Sequence, residues 1–141
     1  MPNAPDAPTP PSATAEPITV NEASDAERAN YLQVAVATIG AIEDAIALLV
    51  VRQAAPDLGG DERRRITVEL ADLEARKARV RAEMHAFIAG RQAVRPPDTE
   101  ALAKVKDLAE KLDDMTAGSV MTGAIVDAVS DLLALYNETR S

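Results

Sequence analysis

From Ala101 to Tyr136 the chain repeats apolar or small residues at alternating steps of four and three: Ala101, Val105, Leu108, Leu112, Met115, Ser119, Thr122, Val126, Val129, Leu133 and Tyr136. A 3.5-residue period holds one stripe of side chains against a partner along the whole length of a helix, so this stretch predicts a long helix with a coiled-coil seam. The seam is apolar at both ends and small or polar in the middle, where Ala117, Gly118, Ser119, Thr122 and Gly123 fall. Small residues let helix backbones approach closely, and each glycine weakens a helix by about 1 kcal/mol relative to alanine. Gly118 and Gly123 are therefore the candidate hinge of this spine.

Two earlier stretches carry the same period. The first is expected to begin at Ser24, which stands at capping-box spacing from Glu27, and to run to Gln53, before Ala55-Pro56 and Gly59-Gly60. Its seam is Leu32, Ala35, Ile39, Ile42, Ile46 and Leu49, but Val34, Val36, Leu48, Val50 and Val51 make other faces apolar as well. A helix apolar nearly all round needs more than one neighbour to bury it, within the bundle or across an oligomer interface. The second stretch is expected to start at Asp61 and to continue to Gly90 or as far as Val94, with Ile66, Leu70, Leu73, Lys77, Val80, Met84 and Phe87 as its seam. Lys77 in that row either sets register or lays its stem over apolar surface with its charge in water. Pro96-Pro97 then disfavours helix, and Asp98 or Thr99 caps the spine.

A straight spine of forty residues would reach roughly 60 Å, against roughly 45 Å for helices of thirty. The spine must either break near Gly118 or project past its partners. The expected fold is all-α: an antiparallel bundle of three long helices, four if the last breaks near Gly118. Residues 1–22 are expected to be a disordered tail, because six of the nine prolines fall in the first 17 residues with little apolar surface to offset chain entropy. Residues 23–141 form the single expected domain.

Composition narrows the chemistry. Hydrophobic residues make up 47% of the chain but aromatics only 2%, and 28 alanines account for much of the apolar fraction, so the core rests on Leu, Ile and Val. The abundance of alanine and arginine points to a GC-rich bacterial genome. There is no cysteine for a disulfide or a thiolate metal site, and the single histidine, His85, has no second histidine with which to share a metal. Glu83 and His85 do not match the Glu-x-x-His spacing of a di-iron bundle. The chain has no phosphate-cradling glycine loop and no HExxH, and its carboxylate pairs, Asp113-Asp114 and Asp127/Asp131, sit where amphipathic helices face water. No cofactor, metal or catalytic residue is expected.

The net charge of −8 is uneven: −5 over residues 1–27, −1 over 28–60, +3 over 61–97 and −5 over 98–141. A basic second helix between acidic neighbours suits attraction within a bundle, and the acidic total argues against nucleic acid as a partner. From Tyr31 to Val51 the chain is long enough to cross a bilayer, but Glu43 and Asp44 at its centre would each cost about 2.5–3.5 kcal/mol there. A constitutive span is not expected. Neither a basic n-region nor a continuous apolar h-region marks a cleaved Sec signal, and the expected location is the cytoplasm.

The functional expectation is a non-enzymatic interaction protein, an assembly factor or adaptor, that binds itself or a helical partner. Its expected surface comprises Ile39, Ile42, Ile46 and Leu49 on the first helix and Val126, Val129, Leu132, Leu133 and Tyr136 on the spine. Truncating Leu132 and Leu133 should then weaken self-association more than helicity. The alternative is a secreted, membrane-active effector, without a cleaved Sec signal, whose segments from Tyr31 to Val51 and from Ser119 to Tyr136 insert as a hairpin once Glu43 and Asp44 are protonated.

Overall fold

Ser24 opens the first helix, α1 (Asp25–Gln53), by the reciprocal bonds its spacing from Glu27 predicts. The Glu27 backbone N–H donates to Ser24 Oγ at 3.1 Å, and the Ser24 N–H donates to Glu27 Oε1 at 2.9 Å. Two of the N–H groups that a helix start leaves unpaired are thereby satisfied. The computed structural model describes residues 16–116 and 120–140.

The other end of α1 is closed by the next helix, α2 (Gly60–Ile88). Arg63 donates to the carbonyls of Gln53 at 2.6 Å, Leu58 at 3.2 Å and Ala55 at 3.3 Å, so one member of the arginine run ties the α1–α2 turn together. Helix α2 starts one residue before the expected Asp61 cap. Gly59 is the cap, and Asp61 lies in the first turn, paired with Arg64. The helix also stops short of Val94, because Gly90 takes φ +75° and reverses the chain. The Gly90 N–H bonds the Phe87 carbonyl at 3.0 Å and the Arg91 N–H bonds the Ala86 carbonyl at 2.8 Å, the two bonds of a Schellman ending.

The spine breaks. It forms α3 (Thr99–Asp114) and α4 (Thr122–Asn137), of roughly 24 Å each, so the bundle has four helices. Asp98 caps α3 by accepting the Ala101 N–H at 2.7 Å. At the far end of α3, Met115 is extended, with ψ 138°. Residues 117–119, including the proposed hinge glycine Gly118, lie outside the described residues. Gly123 sits in the first turn of α4, where an added Cβ would meet nothing within 4 Å. Folding back buries Ile125, Val129, Leu132 and Tyr136, which a projecting spine would have left in water.

The helices alternate in direction. Gln53 Nε2 donates to Thr67 Oγ1 at 2.7 Å beside the α1–α2 turn, while Glu43 and Arg81 meet at 3.9 Å further along. Asn30 Nδ2 donates to the Pro97 carbonyl just before α3, and the hydroxyls of Tyr31 and Tyr136 meet where α4 returns. Helix α1 packs against all three others, whereas α2 packs chiefly on α1. The apolar surface all round α1 is thus explained by its central place. Its most buried row is Tyr31, Ala35, Thr38, Ile42, Ala45 and Leu49, with Val34, Ala41 and Leu48 beside it. Thr38 satisfies its own hydroxyl by donating to the Val34 carbonyl at 2.7 Å.

One end of the bundle is closed by three chain segments. Ile18 and Val94 exchange backbone bonds of 2.8 and 2.9 Å, Val94 also bridges to Arg140, and the Arg95 N–H bonds the Thr139 carbonyl at 2.7 Å. Of the expected tail, residues 1–15 lie outside the described residues, and the chain from Ile18 onward packs at the bundle end. Arg28 holds it there by donating to the carbonyls of Val20 at 2.9 Å and Ala23 at 2.6 Å.

Candidate functional site

The nine residues expected to form a binding surface lie mostly inside the chain's own core. Ile42, Leu49 and Leu132 are fully buried, Val129, Tyr136, Leu133 and Ile39 nearly so, and only Ile46 and Val126 are half-buried. The burial has a physical cause: α1 is covered by α2, α3 and α4, and α4 packs in turn on α1 and α3. A partner could reach them only by opening the bundle.

A concave feature lies instead between α2 and α4. These helices flank a groove of about 400 Å³ whose walls carry Arg76, Arg79 and Glu83 from α2 and Tyr136 and Asn137 from α4, with Arg140 just beyond. Its base is apolar, from Val80 and Leu133. The groove exists because the buried row of α2, Ile66, Leu73, Val80 and Phe87, seven residues apart, is flanked by half-buried Leu70 and Met84, while the side toward α4 carries Arg76, Arg79 and Glu83.

At one end of the groove a polar network crosses from α2 to α4. The Glu83 side chain is only 13% exposed, and a carboxylate so withdrawn from water needs partners. It has three: Arg140 Nε at 3.1 Å, Arg79 Nε at 3.5 Å, and the Tyr136 hydroxyl, which donates to Oε1 at 2.9 Å. The Tyr136 hydroxyl also meets that of Tyr31 at 3.1 Å, and Tyr31 packs edge-on to Phe87 with ring centroids 4.9 Å apart. Burial, followed by the bond to Tyr31 and the Glu83 charge, pushes the Tyr136 hydroxyl far above the ordinary tyrosine range. Burial likewise raises Tyr31, against the opposing pull of its bond to Tyr136. Both phenols therefore stay protonated at neutral pH, and neither offers a base or nucleophile there. The network locks the end of α4 to α2. At the opposite end of the pair, Thr122 Oγ1 donates to Glu62 Oε2 at 2.5 Å, and Arg52 Nε lies 3.5 Å from the same oxygen.

Two of the remaining charged candidates on α2 are paired along their own helix. Arg76 meets Asp72 at 2.9 Å, and Lys77 folds its stem against the seam and reaches Glu74 at 3.1 Å. His85 is exposed. No three His, Asp or Glu side chains among the described residues converge as a metal site would need. Partial burial first, and the charges of Asp113 and Glu43 second, raise the pKa of Asp44 on α1. Among the described residues α1 alone is long and apolar enough to cross a membrane, and most of its apolar rows are covered by the other helices.

The Glu83 network left little trace in the sequence. Tyr136 was legible as the end of an apolar row, but its bond to Glu83 joins residues 53 positions apart. Tyr31 stands one place before the expected seam, and no local pattern pairs it with Tyr136. The chain matches no known protein-family model, no curated protein and no solved structure.

Proposed function

We propose that the protein is a non-enzymatic interaction module that works by self-association. The observation that carries this reading is the set of large apolar side chains left in water on the two long helices, Val36, Val50 and Val51 on α1 and Val68 and Ile88 on α2, each at least half exposed. Single exposed apolar residues are ordinary on a monomer, but these accompany a helix, α2, that the described residues cover chiefly on its α1 face. The ionisable groups in the groove are engaged with one another, which favours a structural role for them over catalysis. Light scattering over a concentration series tests the reading. A mass at or above twice the 14.9 kDa chain is expected, and a constant monomer mass would overturn it.

A second reading draws on Asp44. A carboxylate with a raised pKa on a helix of membrane-spanning length suits a chain that inserts when acidified, because the neutral acid is cheaper to bury. Dye release from anionic vesicles that rises as pH falls from 7 to 4 would support this reading, and its absence over that range would remove it.

A further inference from the structure

The outward side of α2 carries a second heptad row, directly opposite the one that binds α1. Val68, Ala71, Ala75, Ala78, Ala82 and His85 follow one another at steps of three and four, and all six are exposed. In heptad terms they are the a and d positions, while Ile66, Leu73, Val80 and Phe87, which hold α2 to α1, are the f positions. One side of α2 thus builds the bundle, and the other has coiled-coil spacing with none of the described residues packed over it. Val68 is 67% exposed, and Ile88, beside the far end of the row, is 53% exposed.

The charges that flank this row select its occupant. On one flank, the e positions are Asp72 and Arg79; on the other, the g positions are Glu74 and Arg81. Acid precedes base on both flanks, with a centre between residues 76 and 77. When two copies of such a helix pair antiparallel, e faces e and g faces g across the seam. With Ala75 of one copy opposite Ala78 of the other, Asp72 faces the second copy's Arg79 and Glu74 faces the second copy's Arg81. The two-fold axis repeats both contacts, giving four opposite-charge pairs. A slide of one heptad in either direction destroys the match. One slide sets Asp72 against Asp72 and Glu74 against Glu74; the other sets Arg79 against Arg79 and Arg81 against Arg81. A parallel pair in register keeps only Glu74 against Arg79. The alanine row also suits a second copy of itself, because facing alanines let two axes approach to the short end of the 8–10 Å range.

From this we infer that the protein forms a two-fold symmetric dimer through an antiparallel α2–α2 contact centred near Arg76 and Lys77. The inference rests on the self-association reading above and names its surface. The bundles would lie on opposite sides of the contact, since each hangs from the far face of its own α2, so α4 keeps its place, and Arg79, 3.5 Å from Glu83, is shared between the Glu83 network and the contact.

Two charge variants and a third, uncharged in its flanks, test it by light scattering on the full chain, with circular dichroism as the check on helicity. Asp72→Arg with Glu74→Arg makes both flanks wholly basic, and Arg79→Glu with Arg81→Glu makes them wholly acidic. Each is expected to be a helical monomer where the unaltered chain is a dimer, and an equimolar mixture is expected to regain twice the chain mass. Ala78→Arg, which leaves every ion pair in place and sets a charge at the centre of the contact, is expected to be monomeric as well. An unaltered chain that stays monomeric would overturn self-association itself. A dimer that survives in all three variants would leave self-association standing and overturn this surface. Helical monomers that fail to pair on mixing would overturn the antiparallel register.

Discussion

Helices α1 and α2 are each 29 residues long, yet ten residues of α1 are buried and only four of α2. Length and helical propensity do not separate them; the number of neighbours does. Helix α1 is covered on three sides by α2, α3 and α4, so small residues such as Ala35, Ala41 and Ala45 are as buried as its isoleucines. Helix α2 rests on α1 through its buried row and half-buried Leu70 and Met84, and it reaches α4 through polar contacts at Glu62 and Glu83. Helices α1, α3 and α4 therefore pack on one another, while α2 joins the same core mainly through α1. The side built of α1, α3 and α4 should respond to substitution as a unit, and the α2 side piecemeal.

The sharpest way to break that contrast is to truncate one buried leucine on each side. Leu132→Ala empties a fully buried position on α4 and should cost about 2–5 kcal/mol, read as a fall in the urea midpoint with cooperative loss of the whole bundle. This replaces the sequence-based expectation for Leu132 and Leu133, because a side chain that fills the chain's own core acts first on stability. Leu73→Ala on α2 removes one of its four buried residues and should cost about 2–3 kcal/mol. Its distinguishing sign is amide exchange that quickens in α2 well before α1, α3 or α4; equal quickening in all four would show that α2 is not a separable layer.

A smaller effect is expected at the polar lock between the two sides. Tyr136→Phe leaves the Tyr31 hydroxyl and Glu83 each short of one partner, for about 1–2 kcal/mol. The loss should depend on pH in a set direction. Folded Tyr31 and Tyr136 both hold their protons above the unfolded tyrosine value of about 10, so their contribution is complete below that pH and is lost as pH rises beyond it. Urea titrations at pH 8 and pH 11 should show a steeper alkaline loss in the unaltered protein than in the Phe variant.

The smallest expected change is at Asp44, where α1 passes Asp113 and Glu43. Its raised folded-state pKa means that ionisation weakens the fold, so stability should increase slightly as pH falls through the carboxylate range and Asp44 takes up its proton. Asp44→Asn should raise the melting temperature at pH 7 by about 1–2 °C and have less effect at pH 4, where the acid is already protonated. A melting temperature that drops at pH 7 would show that the carboxylate is held by a favourable contact instead.

Local chemistry determined much of this protein from its sequence. The Ser24–Glu27 box, the Asp98 cap, the helix breaks at Pro56 and at Pro96-Pro97, and the α2 seam of Ile66, Leu73, Val80 and Phe87 are all contacts within a few residues or repeats of one helix period. The apolar circumference of α1 also foretold a helix with several neighbours. Tertiary structure decided where that circumference was covered. The heptad row from Ala101 to Tyr136 runs unbroken through residues 117–119, and periodicity alone does not separate a long helix from two that fold back. Burying Ile125, Leu132 and Tyr136 on α1 favours the second arrangement, and that gain depends on a surface distant in sequence. The same dependence hid the Glu83–Tyr136–Tyr31 lock and placed the expected binding residues in the core. Periodicity specifies which residues face one another's helix, but only the packed chain decides whether the partner is the chain itself or a second copy.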